Sequence, residues 1–160
     1  MTYHPSRLQR QIHLQRTPVR KAPISIRKAW RALRILETVA QELGIHPPPL
    51  TGWLPEALTA AHHPTLKASK HGAKNFDFVN RRTKTTVQVK GIGSFNRSGI
   101  AFHPDVYRLV VYWIFNDGYF ELYNSPSSRL KSHFSDFHKD KPELVKVGLY
   151  DLMRLALERR

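Results

Sequence analysis

The chain contains no cysteine, which excludes disulfide staples and thiolate metal sites and fits a reducing, cytoplasmic setting. No apolar run approaches the roughly 20 residues that a membrane-spanning helix needs. The first residues, MTYHPSRLQRQIHL, lack the apolar segment of a secretory signal. Acid is scarce: 12 Asp and Glu stand against 26 Lys and Arg, a net charge of +14, and no acid precedes Glu37. The glycines of GIGSF (91–95) lack the spacing of a nucleotide-binding loop. They suit a bent strand or a closely approaching DNA backbone. The nine histidines are scattered, and His62 and His63 would point apart on a helix, which argues against a structural zinc site.

What remains is a globular composition, 41% hydrophobic and 11% aromatic, in a 160-residue chain that can bury one core without staples. A positive surplus of this size repels itself in a compact state, so it points to a polyanionic partner, nucleic acid foremost. An anionic membrane surface fits less well, because no helix combines a Lys/Arg face with a strongly apolar one. Residues 1–24 read as a basic extended arm broken by Pro5, Pro18 and Pro23, with Arg16, Arg20 and Lys21 placed to lie along phosphates. The alternative for this stretch is a solubilising tail. Residues 25–160 then form a single domain.

Within that domain, apolar residues from Ile26 to Leu43 recur at three- to four-residue spacing, predicting a helix capped by Ser25 and closed by Gly44. Three prolines at 47–49 break it, and LPEALTAAHH (54–63) predicts a second helix with Pro55 in its first turn. A basic loop follows, whose Lys67, Lys70, His71 and Lys74 are expected to hold a nucleic-acid backbone. Phe76–Val79 and Thr85–Ile92 alternate with period two and predict paired strands across a turn containing Arg81 and Arg82. A short strand is expected at 100–103. An aromatic hairpin turns at NDG (116–118), and its rings read as core or a dimer face. One helical turn is expected after Ser125, then a strand at 143–149 and a C-terminal helix. The order predicts a mixed α/β or α+β domain.

The first strand pair carries the chemistry. A connection centred on Arg82 and Thr83 sets Asp77 opposite Gln88, and opposite residues of an antiparallel pair share a face. The phenylalanines at 76 and 78 and the valines at 87 and 89 are then expected to bury together, leaving Asp77, Gln88 and Lys90 on the other face. A carboxylate and an amide oxygen are hard ligands that suit Mg²⁺, and the lysine beside them can stabilise charge on a phosphate. The bland alternative is a solvated sheet face. Ser94, Asn96 and Arg97 follow at once; Arg and Asn suit base edges or phosphates, although they are also ordinary turn residues.

These residues resemble the PD-(D/E)XK, or restriction-endonuclease-like, nuclease superfamily over about residues 50–125. Asp77 matches the aspartate of its motif, and Gln88-Val89-Lys90 matches its (D/E)-x-K element in the QxK form of Mrr-like nucleases. Phe76 stands where the motif has proline, and Gln88 removes one negative charge from the site. The resemblance implies a central mixed sheet flanked by helices, and a further glutamate from the preceding helix: Glu56, with Glu37 as runner-up. It implies a metal held by Asp77, Gln88 and Glu56, Mg²⁺ or Mn²⁺ in its place, with Lys90 assisting attack on the phosphodiester.

The reading that follows is a metal-dependent DNA endonuclease cutting double-stranded DNA at specific sites, as restriction or homing enzymes do. Two single-site subunits, as a homodimer or a higher symmetric oligomer, would cut both strands. A junction resolvase with the same core, or a non-catalytic nucleic-acid-binding protein, is the alternative.

Overall fold

The computed structural model describes residues 6–46, 50–70, 75–93, 99–135 and 143–159. Its centre is a six-stranded sheet in the order β1-β7-β6-β4-β3-β2. The strands are β1 (Thr17–Pro18), β2 (Leu66–Ala68), β3 (Phe78–Asn80), β4 (Thr86–Ile92), β6 (Arg108–Ile114) and β7 (Gly118–Pro126). The pair β4–β6 is parallel and every other pair antiparallel. A smaller antiparallel sheet joins β5 (Gly99–Phe102), β9 (Val145–Gly148) and β8 (Phe134–Ser135). The expected mixed α/β class is what the chain adopts.

Side-chain alternation gives the large sheet two apolar faces. Val87, Val89, Val110, Tyr112 and Ile114 pack with Leu54 and Leu58 of α3 (Leu50–His62) and with Ile26 and Trp30 of α2 (Ile24–Glu42). Leu109, Val111 and Trp113 point the other way, towards Ile12 of α1 (Arg7–Leu14) and Leu152, Met153 and Ala156 of α4 (Leu149–Glu158). Helices therefore cover both faces. The aromatic hairpin β6–β7 belongs to these cores, since Tyr112, Trp113, Tyr119, Phe120 and Tyr123 are all buried.

The amino-terminal segment differs from the extended arm expected of it. Ser6 and Gln9 form a capping box, each side chain bonding the other's backbone N–H. The helix that follows buries Ile12 completely in the α4-side core. Thr17 and Pro18 then add an edge strand to β7, and Val19–Lys21 form one 3-10 turn. A proline fits β1 because an edge strand can forgo a donor.

Smaller differences have local causes. α2 is capped by Pro23 rather than Ser25, and α3 begins at Leu50 with Pro55 inside it. Gly44, at φ 68°, ends α2 as expected. β2 lies inside the stretch read as a basic loop. It is an edge strand with only Leu66 buried, so its alternation is too short to show.

Candidate active site

The β3–β4 hairpin has the expected register. Phe78 pairs with Val87 and Val79 with Thr86, and Asp77 lies just before these paired residues. The turn fixes it. The Asn80 side-chain oxygen accepts from the N–H groups of Arg82 and Thr83 at 2.9 and 3.0 Å, while Lys84 takes up a left-handed φ of 61°.

Asp77 holds the far end of the hairpin twice. Its backbone N–H donates to the Val87 carbonyl at 2.9 Å, and its carboxylate Oδ2 accepts from the Val89 N–H at 2.6 Å. In a regular ladder of this register Val89 would donate to the carbonyl of Phe76. That carbonyl instead accepts from the Ser69 hydroxyl at 3.2 Å, and Asn75 just before it has φ 75°. The chain therefore leaves the sheet at Asp77. This corrects the expectation that both phenylalanines bury with the valines: Phe78 does so, but Phe76 packs against the opposite core.

Gln88 and Lys90 alternate with the buried Val87 and Val89, so they point to the face away from α2 and α3. Gln88 is 7% exposed, and its Oε1 accepts from the His103 N–H at 3.0 Å. An amide oxygen has a second lone pair, so this bond leaves one position for another partner. Lys90 is half-buried. Beside this face a cleft of about 250 Å³ is lined by Asn75, Phe76, Thr86, Asp105 and Val106. His103 and Asp105 are neighbours that the sequence reading missed, and their signal was FHPDVY (102–107), an acid and a histidine flanking a proline.

Glu56 comes from the other side. It lies on α3 and lines a cleft of about 520 Å³ with Ser25, Trp53, Ala68 and Phe78. Burial pushes its carboxyl above the usual range, and the charge of Asp77 pushes it further the same way. The two acids thus share one electrostatic field. Glu37 is engaged elsewhere, 2.6 Å from the Arg34 guanidinium. Asp77, just before β3, is linked to Glu56 by charge and to β4 through the Val89 N–H. Among the described residues no three His, Cys, Asp or Glu side chains converge as a metal cluster. Asp77 and Glu56 are hard carboxylate donors of the kind that suits a cation keeping several waters, whereas the Gln88 side chain lies on the sheet face away from α3.

The other expected contact residues fall into two regions. Lys67 and Lys70, with Arg81 and Arg82 of the hairpin turn, are exposed around the β2–β3 edge of the sheet. Arg16, Arg20 and Lys21 lie at the opposite, β1 edge. Arg16 forks onto Asp117, its Nε donating to Oδ1 at 2.8 Å, while Arg20 and Lys21 are exposed. His71, Lys74, Ser94, Asn96 and Arg97 lie outside the described residues.

The adjacent histidines tie α3 to β7. His62 Nε2 is 2.9 Å from the Tyr119 hydroxyl, and His63 Nε2 is 3.2 Å from Asn124 Nδ2 and 3.9 Å from Glu121. Burial pushes the Glu121 carboxyl up, but His63, Asn124 and Tyr112 together hold it below its usual range.

Compared with known proteins, the chain matches no protein-family model and shows no significant similarity to a curated protein.

Asp77→Ala leaves the Val89 N–H without its acceptor and is expected to cost about 1–3 kcal/mol in urea unfolding. Asp77→Asn keeps an oxygen in place and should cost less than about 1 kcal/mol. Equal losses would mean that charge, rather than an acceptor, holds the hairpin end.

Proposed function

We propose that this chain is a metal-dependent endodeoxyribonuclease with a restriction-endonuclease-like core. The observation that carries the reading is Asp77. Its carboxylate accepts from the Val89 N–H of β4, between Gln88 and Lys90 in the chain, and it shares a field with Glu56. A mixed sheet with helices on both faces supports the same core. So does the positive surplus, which favours a polyanionic substrate.

In this reading Asp77 and Glu56 hold the metal, Mg²⁺ or Mn²⁺, while Gln88, on the other face of the sheet, supports β4 through its bond to His103. When bound, that ion supplies Lewis-acid polarisation of the phosphodiester and a more acidic water. The raised carboxyl of Glu56 marks a site where negative charge is under strain, which a cation relieves. The Val89 N–H fixes one oxygen of Asp77 and so orients the other. The Lys90 ammonium stabilises the charge that develops on the phosphate in the transition state. Lys67, Lys70, Arg81 and Arg82 supply phosphate contacts along the hairpin edge.

Double-strand cleavage requires a second site, and α2 offers a surface for a second copy. Ala32, Leu36, Val39 and Leu43 recur at the alternating four- and three-residue spacing of a two-helix seam. Leu36, Val39 and Leu43 are exposed, with Ile35 beside them. Lys28 and Glu42, both exposed, flank the seam on one side at its two ends. An antiparallel copy about a two-fold axis near Ile35 sets Lys28 against the partner's Glu42.

Incubation with plasmid and Mg²⁺ tests the reading: nicking that EDTA abolishes is expected. Lys90→Ala and Asp77→Asn should each reduce it about 100-fold or more while duplex binding persists. Binding without nicking under Mg²⁺ or Mn²⁺ would instead favour the non-catalytic nucleic-acid-binding reading. In sedimentation the wild type should be dimeric and Leu36→Glu monomeric with unchanged circular dichroism. A monomeric wild type, or a dimeric variant, would remove α2 as the interface.

A further inference from the structure

The sheet edge opposite the hairpin carries a second concentration of positive charge. Arg27, Arg31 and Arg34 follow one another at four- and three-residue spacing, so they occupy one face of α2. That face lies between the buried Trp30 and the exposed apolar seam, so α2 does carry both the basic and the apolar face that the sequence was read as lacking. Arg20, from the 3-10 turn at Val19–Lys21, meets it from the other side. The four arginines line a cleft of about 610 Å³ with Trp30 and Asp117.

Its charges are already partly sorted. Asp117, the lone carboxylate lining the cleft among the described residues, is taken by the Arg16 fork, and that pairing holds its carboxyl below the usual range. Arg34 is fixed by Glu37 at 2.6 Å and by the Asn116 carbonyl. The guanidinium groups of Arg20, Arg27 and Arg31 are exposed, and no hydrogen bond or ion pair engages them among the described residues. Three cations held around one cleft without counter-charge raise the energy of the unliganded protein. Guanidinium forks match phosphate oxygens in geometry as well as in charge.

Size indicates what kind of anion fits. From Arg27 to Arg34 the row extends about 10 Å along the helix, longer than one phosphate group and suited to a run of them. The cleft is also remote from Asp77. Between β3 and β1 lie four strand spacings, about 19 Å at the usual separation.

We propose that this cleft is a backbone-phosphate site, separate from the candidate active site, that anchors duplex DNA across the β1 edge of the sheet. It shares with the nuclease reading only a polyanionic partner. Its test therefore uses no metal, and a failure to cut DNA leaves it untouched.

The full chain is titrated against a labelled 20-base-pair duplex in EDTA over a series of salt concentrations. The triple variant Arg20→Gln/Arg27→Gln/Arg31→Gln is expected to reduce the slope of log affinity against log salt by about 2 to 3, the loss of about three phosphate contacts. A control that removes equal charge on the α4 side, Arg129→Gln/Lys131→Gln/Arg154→Gln, should change the slope by less than about 1. All six positions are exposed, and matching circular dichroism verifies folding. An unchanged slope in the cleft variant overturns the proposal. So does an equal fall in the control, which would show diffuse attraction only, and so does the absence of duplex binding by the wild type. Tighter binding of duplex RNA than of duplex DNA would overturn the assignment of DNA as the ligand.

Discussion

The bond from the Val89 N–H to the Asp77 carboxylate is the constraint on which the site depends. A side chain takes the rung that the backbone of Phe76 would have filled. β3 therefore begins only at Phe78, and the chain before it turns so that Phe76 enters the other core. The carboxylate stays at the sheet's open end, in the field of Glu56. One short hydrogen bond both terminates a strand and positions an acid. The same residue can serve stability and chemistry because a carboxylate has two oxygens and the backbone uses one.

The rest of the fold keeps this end of the sheet rigid. β4 is bordered by β3 and β6, and its valines lock into Leu54 and Leu58 of α3 while Ile92 locks into the opposite core. Gln88 is pinned by His103, which joins the β5–β6 connection to the same strand. The polar residues that are candidates for chemistry are thus held by elements packed on both faces. Precise placement of functional groups generally requires such support.

Where signals were local, the sequence was legible. Alternation across a connection centred on Arg82 and Thr83 gave the β3–β4 register, the NDG turn gave the aromatic hairpin, and Gly44 gave the end of α2. The arm was misread because its arginines and prolines suggested extension, whereas the capping pair Ser6 and Gln9 and the single apolar anchor Ile12 decide for a helix. Phe76 was misplaced because alternation assumes a regular strand, and the strand begins only one residue after Asp77. The partners of Gln88 and Glu56 were not legible in any local pattern. His103 lies 15 residues from Gln88, and Asp77 lies on a different element from Glu56. Such proximity is a product of tertiary packing.

The central claim is that the hairpin end binds a divalent cation through Asp77 and its neighbours. The most direct measurement is substoichiometric Mn²⁺ added to isotopically labelled protein, read as paramagnetic broadening in amide spectra. The account predicts that the Val89 amide broadens first, and that Asp77→Asn removes the effect. Broadening centred elsewhere, or undiminished in Asp77→Asn, would contradict it.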